Sequence, residues 1–390
     1  MAMSLAPALA ACAEFDLVAY DCPPAQGIMR SSDGTAFIVA GDDFEAAQLY
    51  LNDVRLTRSA ATYRAYKKEI GRFLGWCAAV RRKSFSDFGP NDYGEYKQFL
   101  LNPPAAWVAP AGQGPGRAWR PFAGELSPSS VTYAFRALSA MLTWLVAQNW
   151  LRGNVISANH GLMKRPRTPR ANRRIPQGGL DAIRDYLASL PIETPAQLEA
   201  ARRTQLVMSV GLGMALRRSE IAAATMGQFQ IEPDHGTWTW VGVRKGGGEH
   251  GVGVPLFVID ALVQYRVALG LPPYPEPAES MPMVRALGTD KPVTGEWVKQ
   301  MVQQVCTAAA ERLACLPVTA ERTEAIRRLR AATTHWLRHT RLSELLEQGA
   351  TLKEVSEVAG HESIATTGTY LHAEGRRLYQ SAAFQRSPIA

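Results

Sequence analysis

The sequence predicts a mainly α protein with a small β-sheet, built from a helical first domain and a mixed second domain. Three observations carry that expectation. The 390 residues exceed one ordinary core of ~100–200 residues. Apolar residues recur at spacings of three and four from Asp43 onward. A single pair of alternating apolar segments then flanks a glycine-rich turn near residue 247.

Residues 1–42 carry Pro, Gly and Ser without a sustained period, and read as a loosely ordered or docking extension. The expected helical domain spans 43–156. In it Phe44, Ala47, Leu51 and Val54 trace one amphipathic helix, and Tyr63, Tyr66, Ile70, Phe73, Leu74 and Cys77 a second. A third is expected near Asp92 to Leu101, and a fourth from Ser129 to Asn149, entered through Leu126-Ser127-Pro128. The loop Pro103 to Gly124 mixes Trp107, Trp119, Arg117 and Arg120; a Trp there more often packs on its own domain than on a partner.

Residues 157–176 are too broken by proline for a helix and too charged for a core, so they form the expected basic linker. Lys164, Arg165, Arg167, Arg170, Arg173 and Arg174 make it a basic strap able to meet a phosphate backbone. In the second domain, 177–390, Gln197 to Leu216 reads as helix, Thr237 to Val243 and Gly251 to Phe257 as strands, and helical periods follow.

The formal net charge of +8 suits a polyanionic partner. Before Arg55 the only basic residue is Arg30, so the positive excess belongs to the rest of the chain. Cys12, Cys22, Cys77, Cys306 and Cys315 are scattered with no C-x-x-C pair, which reads as reduced thiols in the cytoplasm. Leu9-Ala10-Ala11-Cys12 resembles a lipoprotein cleavage site, but no basic residue precedes it. No stretch reaches ~18 uninterrupted apolar residues, so no membrane span is expected. The glycines after Lys245 lack the G-x-x-x-x-G-K-[ST] order, which excludes a P-loop.

Three segments could carry chemistry. Leu216-Arg217-Arg218-Ser219-Glu220 ends one helix and starts another, which Ser219 could cap. Arg244-Lys245 opens the glycine-rich turn, where either cation could reach a groove. His335-Trp336-Leu337-Arg338-His339 places an imidazole and a guanidinium three apart on one helical face. Gly360-His361 follows, and Tyr370 stands nine residues beyond that His.

In this order and spacing the sequence resembles the tyrosine recombinase, or phage integrase, family, over the whole second domain with a plausible helical partner before it. The resemblance implies a helical, SAM-like core-binding domain and a mixed catalytic domain closing as a C-shaped clamp on double-stranded DNA. It also implies a homotetramer on paired sites and chemistry without metal or cofactor. By matching position, Arg217, Lys245, His335, Arg338, His361 and Tyr370 fill the six catalytic places, Tyr370 as nucleophile. Arg244 is a further DNA contact, Tyr379 a competing nucleophile, and Leu371 to Ser381 with Phe384 a segment that could pack on a neighbouring protomer.

Three rival readings stand beside this one. A type IB topoisomerase uses similar chemistry. A regulator could bind DNA without cutting it. A zinc hydrolase could use His335 and His339 at i and i+4 with His361, although Arg338 between them would repel a dication and the Glu of H-E-x-x-H is missing.

Overall fold

A computed structural model describes residues 27–31, 36–110, 120–159, 161–162, 173–232, 236–243 and 248–360. The chain divides into two compact units, Met1–Pro169 and Arg170–Ala390.

The first unit is helical: α1 (Asp43–Thr57), α2 (Ala60–Trp76), α3 (Pro90–Leu101), α4 (Pro128–Ala147) and a short α5 (Val155–Ala158). Their starts are written in the sequence. The Asp42 carboxylate accepts from the Phe44 and Glu45 amides, and Ser59 and Ser127 cap α2 and α4. Proline opens α3 and α4, where the missing N–H is not needed. The helices close on an aromatic core in which Phe73 contacts Trp76, Phe88, Tyr93 and Tyr96 with ring centroids 5.1–6.5 Å apart.

Trp107 belongs to that core, buried edge-on against Phe99 at 5.0 Å, as the packing reading of the loop expects. Trp119 and Arg117 lie outside the described residues. The end of the extension docks, because Met29 N–H donates to Ser86 O and Phe37 N–H to Gln148 O. Buried Asp43 accepts from Ser84 Oγ, the Ser86 amide and Trp150 Nε1, over which Arg30 lies 3.5 Å from the ring centre. By length and composition α4 could cross a membrane, but its apolar face, Phe135, Leu138, Met141, Leu142 and Leu145, fills this core.

The second unit holds α6 (Gln177–Ala188), α7 (Pro195–Gly213), α8 (Arg218–Ala223), a sheet, α9 (Leu256–Ala268), α10 (Gly295–Ala314), α11 (Ala320–Ala331), α12 (Thr334–Glu347) and α13 (Leu352–Val358). Its three antiparallel strands, β1 (Phe229–Ile231), β2 (Trp238–Val243) and β3 (Glu249–Gly253), run in the order β1-β2-β3. β2 pairs with β1 through Trp240↔Phe229 and with β3 through Gly242↔His250.

The structure corrects two local expectations. The second expected strand stops at Gly253, because Val254-Pro255 turns the chain and Pro255 sits at the N-cap of α9. Leu256 and Phe257 therefore begin a helix, and the alternation of Val252, Val254 and Leu256 is broken there. β1 was not anticipated, since three residues are too few to show a period.

Candidate active site

The site is built where α7, α12 and α13 meet. α7 and α12 pack closely because Gly211 leaves room for Leu337; a Cβ on Gly211 would lie 2.8 Å from Leu337 Cδ1. Burying Leu337 fully is worth about 2 kcal/mol. That packing sets α12 in register against the end of α7, and Arg338, next in sequence to Leu337, points into the interior.

Arg338 is 3% exposed. Its Nη1 donates to Ala215 O at 2.5 Å and its Nη2 to Ala359 O. Ala215 adopts φ +55°, a left-handed backbone that costs an alanine of order 1 kcal/mol, and it turns its carbonyl toward the guanidinium. Arg217 reaches the same turn from the start of α8. Its Nη2 donates to Ala359 O at 3.2 Å and to Gly360 O at 3.1 Å, and its Nη1 to Glu220 Oε1 at 2.6 Å. The two guanidiniums thus share the Ala359 carbonyl at the C-terminal end of α13, where the helix dipole favours cations.

The N-cap of α8 is Arg217 itself, not Ser219, which lies inside the helix. Glu220 takes the Arg217 amide on Oε2 at 2.7 Å and its side chain on Oε1, so one carboxylate both starts the helix and aims the guanidinium. Glu220 is visible in the sequence as the end of Leu-Arg-Arg-Ser-Glu, but only the structure gives it this task.

His335 opens α12 one turn before Arg338. The residue is exposed at the surface, yet neighbouring protein removes part of its water. That desolvation, with the positive charges of Arg338, Arg173 and Arg217, holds its pKa below the ordinary histidine value, so the neutral imidazole is favoured. His339 meets His335 edge to face, centroids 4.8 Å apart.

The end of the linker is fastened to the same helix. Ile175 N–H donates to Thr340 Oγ1 at 3.0 Å, Arg174 pairs with Glu347, and Arg328 donates to Arg174 O at 3.0 Å. Arg173 stands among the charges felt by His335. Of the expected residues, the structure brings Arg217, His335 and Arg338 together. Lys245, His361, Tyr370, Arg244, Lys164, Arg165, Arg167 and Arg170 lie outside the described residues, as do Tyr379 and Phe384. The described chain ends at Gly360, which holds Arg217 and directly precedes His361.

The model of the phage integrase family matches residues 192–377, a span that starts before α7 and includes every one of the six expected catalytic positions. By that match the second unit carries the domain of the tyrosine recombinase family. Tyrosine recombinase XerC of Xanthomonas campestris pv. campestris is 24% identical over 355 residues, covering 90% of this chain and 91% of the relative. XerC of Corynebacterium glutamicum is 45% identical over a shorter stretch of 47 residues, 12% of this chain and 15% of the relative.

Among solved structures, the XerH site-specific recombinase bound to a palindromic difH substrate has a TM-score of 0.58 at 15% identity, covering 88% of this chain and 85% of that one. The Tn1549 transposon integrase in complex with transposon right end DNA has a TM-score of 0.56 at 14% identity, covering 86% and 99%. At these identities the likeness shows the recombinase fold. The domain matched over residues 192–377 is that of enzymes that cleave and rejoin DNA by way of a tyrosine.

Proposed function

We propose that this recombinase cuts and rejoins DNA at specific sites through a 3′-phosphotyrosine on Tyr370, and that it integrates or excises a mobile element. The observation that carries the reading is the convergence of Arg217 and Arg338 on the Ala359–Gly360 carbonyls, directly before His361 and ten residues before Tyr370.

Two planar guanidiniums suit the non-bridging oxygens of a phosphodiester, whose charge grows as the fifth oxygen approaches phosphorus. Tyr370 Oη forms the new bond to phosphorus while the bond to the 5′ oxygen breaks. The phenolic proton passes to neutral His335, and Lys245 supplies a proton to the departing oxygen. His361 hydrogen-bonds the phosphate. The phosphotyrosine preserves the bond energy, so the 5′ hydroxyl of a new partner strand rejoins by the reverse steps without ATP. The basic residues 164–174 and Arg244 meet the backbone, so that the two units clamp duplex DNA, and a homotetramer in the cytoplasm pairs two sites. The transposon integrase among the structural neighbours supports the mobile-element use.

A nicked suicide DNA site tests the chemistry. Wild type is expected to give a covalent protein–DNA adduct that Tyr370→Phe loses and Tyr379→Phe keeps. The opposite pattern would overturn the assignment. Mapping the cuts then tests the use: cuts at the ends of an inserted element support it, and cuts at a single chromosomal locus in the absence of any element refute it.

A further inference from the structure

His250 is a buried titratable side chain for which this mechanism has no task. It is the first inward residue of β3, 4% exposed, between outward Glu249 and Gly251. It faces Gly242 across the hairpin, and Gly242 must lack a side chain because the Trp240 ring lies over it, 2.0 Å from where a Cβ would stand. From β3 the imidazole reaches α13.

There His250 Nε2 lies 2.7 Å from Glu357 O. A carbonyl only accepts, so Nε2 is the protonated nitrogen. The ring also lies flat against Gly360, where a Cβ would fall 3.0 Å from Cε1 and 3.2 Å from Nδ1. Gly360 has φ +53°, so both conformation and space call for glycine. The turn 357–360 is therefore gripped twice, by Arg217 and Arg338 at Ala359 and Gly360, and by His250 at Glu357. The two grips differ in what they carry. The arginines hold the turn from α8 and α12, while His250 holds it from the strand that follows Lys245 by four residues.

We infer that His250 is a positioning residue that registers the Lys245-bearing hairpin against the arginine-holding turn, and so places the proton donor at the leaving 5′ oxygen. This rests on the phosphotransfer reading above. Without the His250 bond the arginines still fix the turn, but the root of the hairpin loses its tie to it. Cleavage should then lose leaving-group assistance while keeping the phosphate clamp.

The test compares DNA carrying an ordinary 5′ oxygen at the cut with DNA carrying a bridging sulfur there. Sulfur departs as a stable thiolate and needs no proton. His250→Leu keeps volume but no donor; it is expected to slow adduct formation about 30-fold on the oxygen substrate, since general acid catalysis is typically worth ~10²–10⁴. On the sulfur substrate it should stay within about threefold of wild type, with gel-shift affinity equally preserved. His250→Gln, which keeps an N–H near the position of Nε2, should restore the oxygen rate. If the leucine variant is unfolded, His250→Asn, whose amide falls short of Glu357 O, should show the same sulfur rescue.

Wild-type rates on the oxygen substrate, or equal losses on both substrates in a folded variant, would overturn the inference. Absence of any adduct with the wild-type chain, or its persistence in Tyr370→Phe, would instead sink the phosphotransfer reading beneath it.

Discussion

Two buried arginines, one in each unit, show how differently the same side chain can be held. Arg72 in the helical unit is 1% exposed, paired with Glu69 at 2.7 Å, bonded to Pro121 O at 3.0 Å and stacked over Phe122 at 4.4 Å. Arg338 in the recombinase unit is buried almost as deeply, and is held by the carbonyls of Ala215 and Ala359. A carboxylate cancels a guanidinium's charge, whereas a carbonyl dipole aims it and leaves the charge in place. Arg72 is thus a closed structural pair, whereas the Ala215 and Ala359 carbonyls aim Arg338, which the proposed mechanism assigns to the phosphate.

The largest effect expected from this contrast is at Arg338. Arg338→Ala should lower the rate of adduct formation by ~10³-fold or more, in line with loss of a preorganised charge at a transition state. Gel-shift affinity should fall only severalfold, because the chain carries many other cations, with a formal net charge of +8. An equal loss of binding and cleavage would erase the distinction between an aimed and a cancelled arginine. Arg72 should break the opposite way. Arg72→Met strands Glu69, whose carboxyl burial already pushes up in pKa, and should cost the helical unit about 3–5 kcal/mol in denaturant unfolding. Adding Glu69→Leu should recover most of that loss, since a well-packed apolar pair replaces the ion pair.

Glu220→Gln sharpens the comparison, because Arg217 lies between the two extremes: its Nη1 is met by a carboxylate and its Nη2 by carbonyls. The amide keeps an acceptor for the Arg217 amide but removes the charge that aims the guanidinium. Cleavage should fall by about tenfold with little change in melting temperature. A fall as deep as that of Arg338→Ala would place Glu220 in the chemistry itself.

What could be read in advance follows the same division. The start of α4 was legible because it is local: Ser127-Pro128 announces the cap within three residues. His335 and Arg338 were legible because a helical turn sets them on one face, and Arg217 was legible only through the family order. The acceptors that hold them were not. Ala215, Ala359 and Gly360 act through main-chain carbonyls that any residue possesses, and their placement depends on φ values of +55° and +53° and on Gly211 admitting Leu337. His250 stayed hidden for a related reason: Glu357, whose carbonyl it meets, lies 107 residues away, and nothing near it in sequence marks the pairing.

The smallest expected effect concerns the pH at which the site works. Burial disfavours the charged form of His335, and Arg338, Arg173 and Arg217 add like charge, so its proton leaves at a pH below the ordinary histidine value of about 6.5. A neutral imidazole is the form that the proposed mechanism needs as proton acceptor. Single-turnover cleavage should therefore rise as pH increases through the mildly acidic range and reach its plateau before neutrality. Arg338 and Arg217 are unsuitable probes of that shift, since removing either would also remove the proposed phosphate clamp. Arg173 is separable, because it reaches His335 only as a neighbouring charge. At saturating DNA, Arg173→Ala should move the acid limb to higher pH, toward the unperturbed histidine, and leave the plateau rate nearly as it was. An acid limb that moved to lower pH, or stayed fixed while the plateau fell, would show Arg173 acting on the phosphate and not on the imidazole.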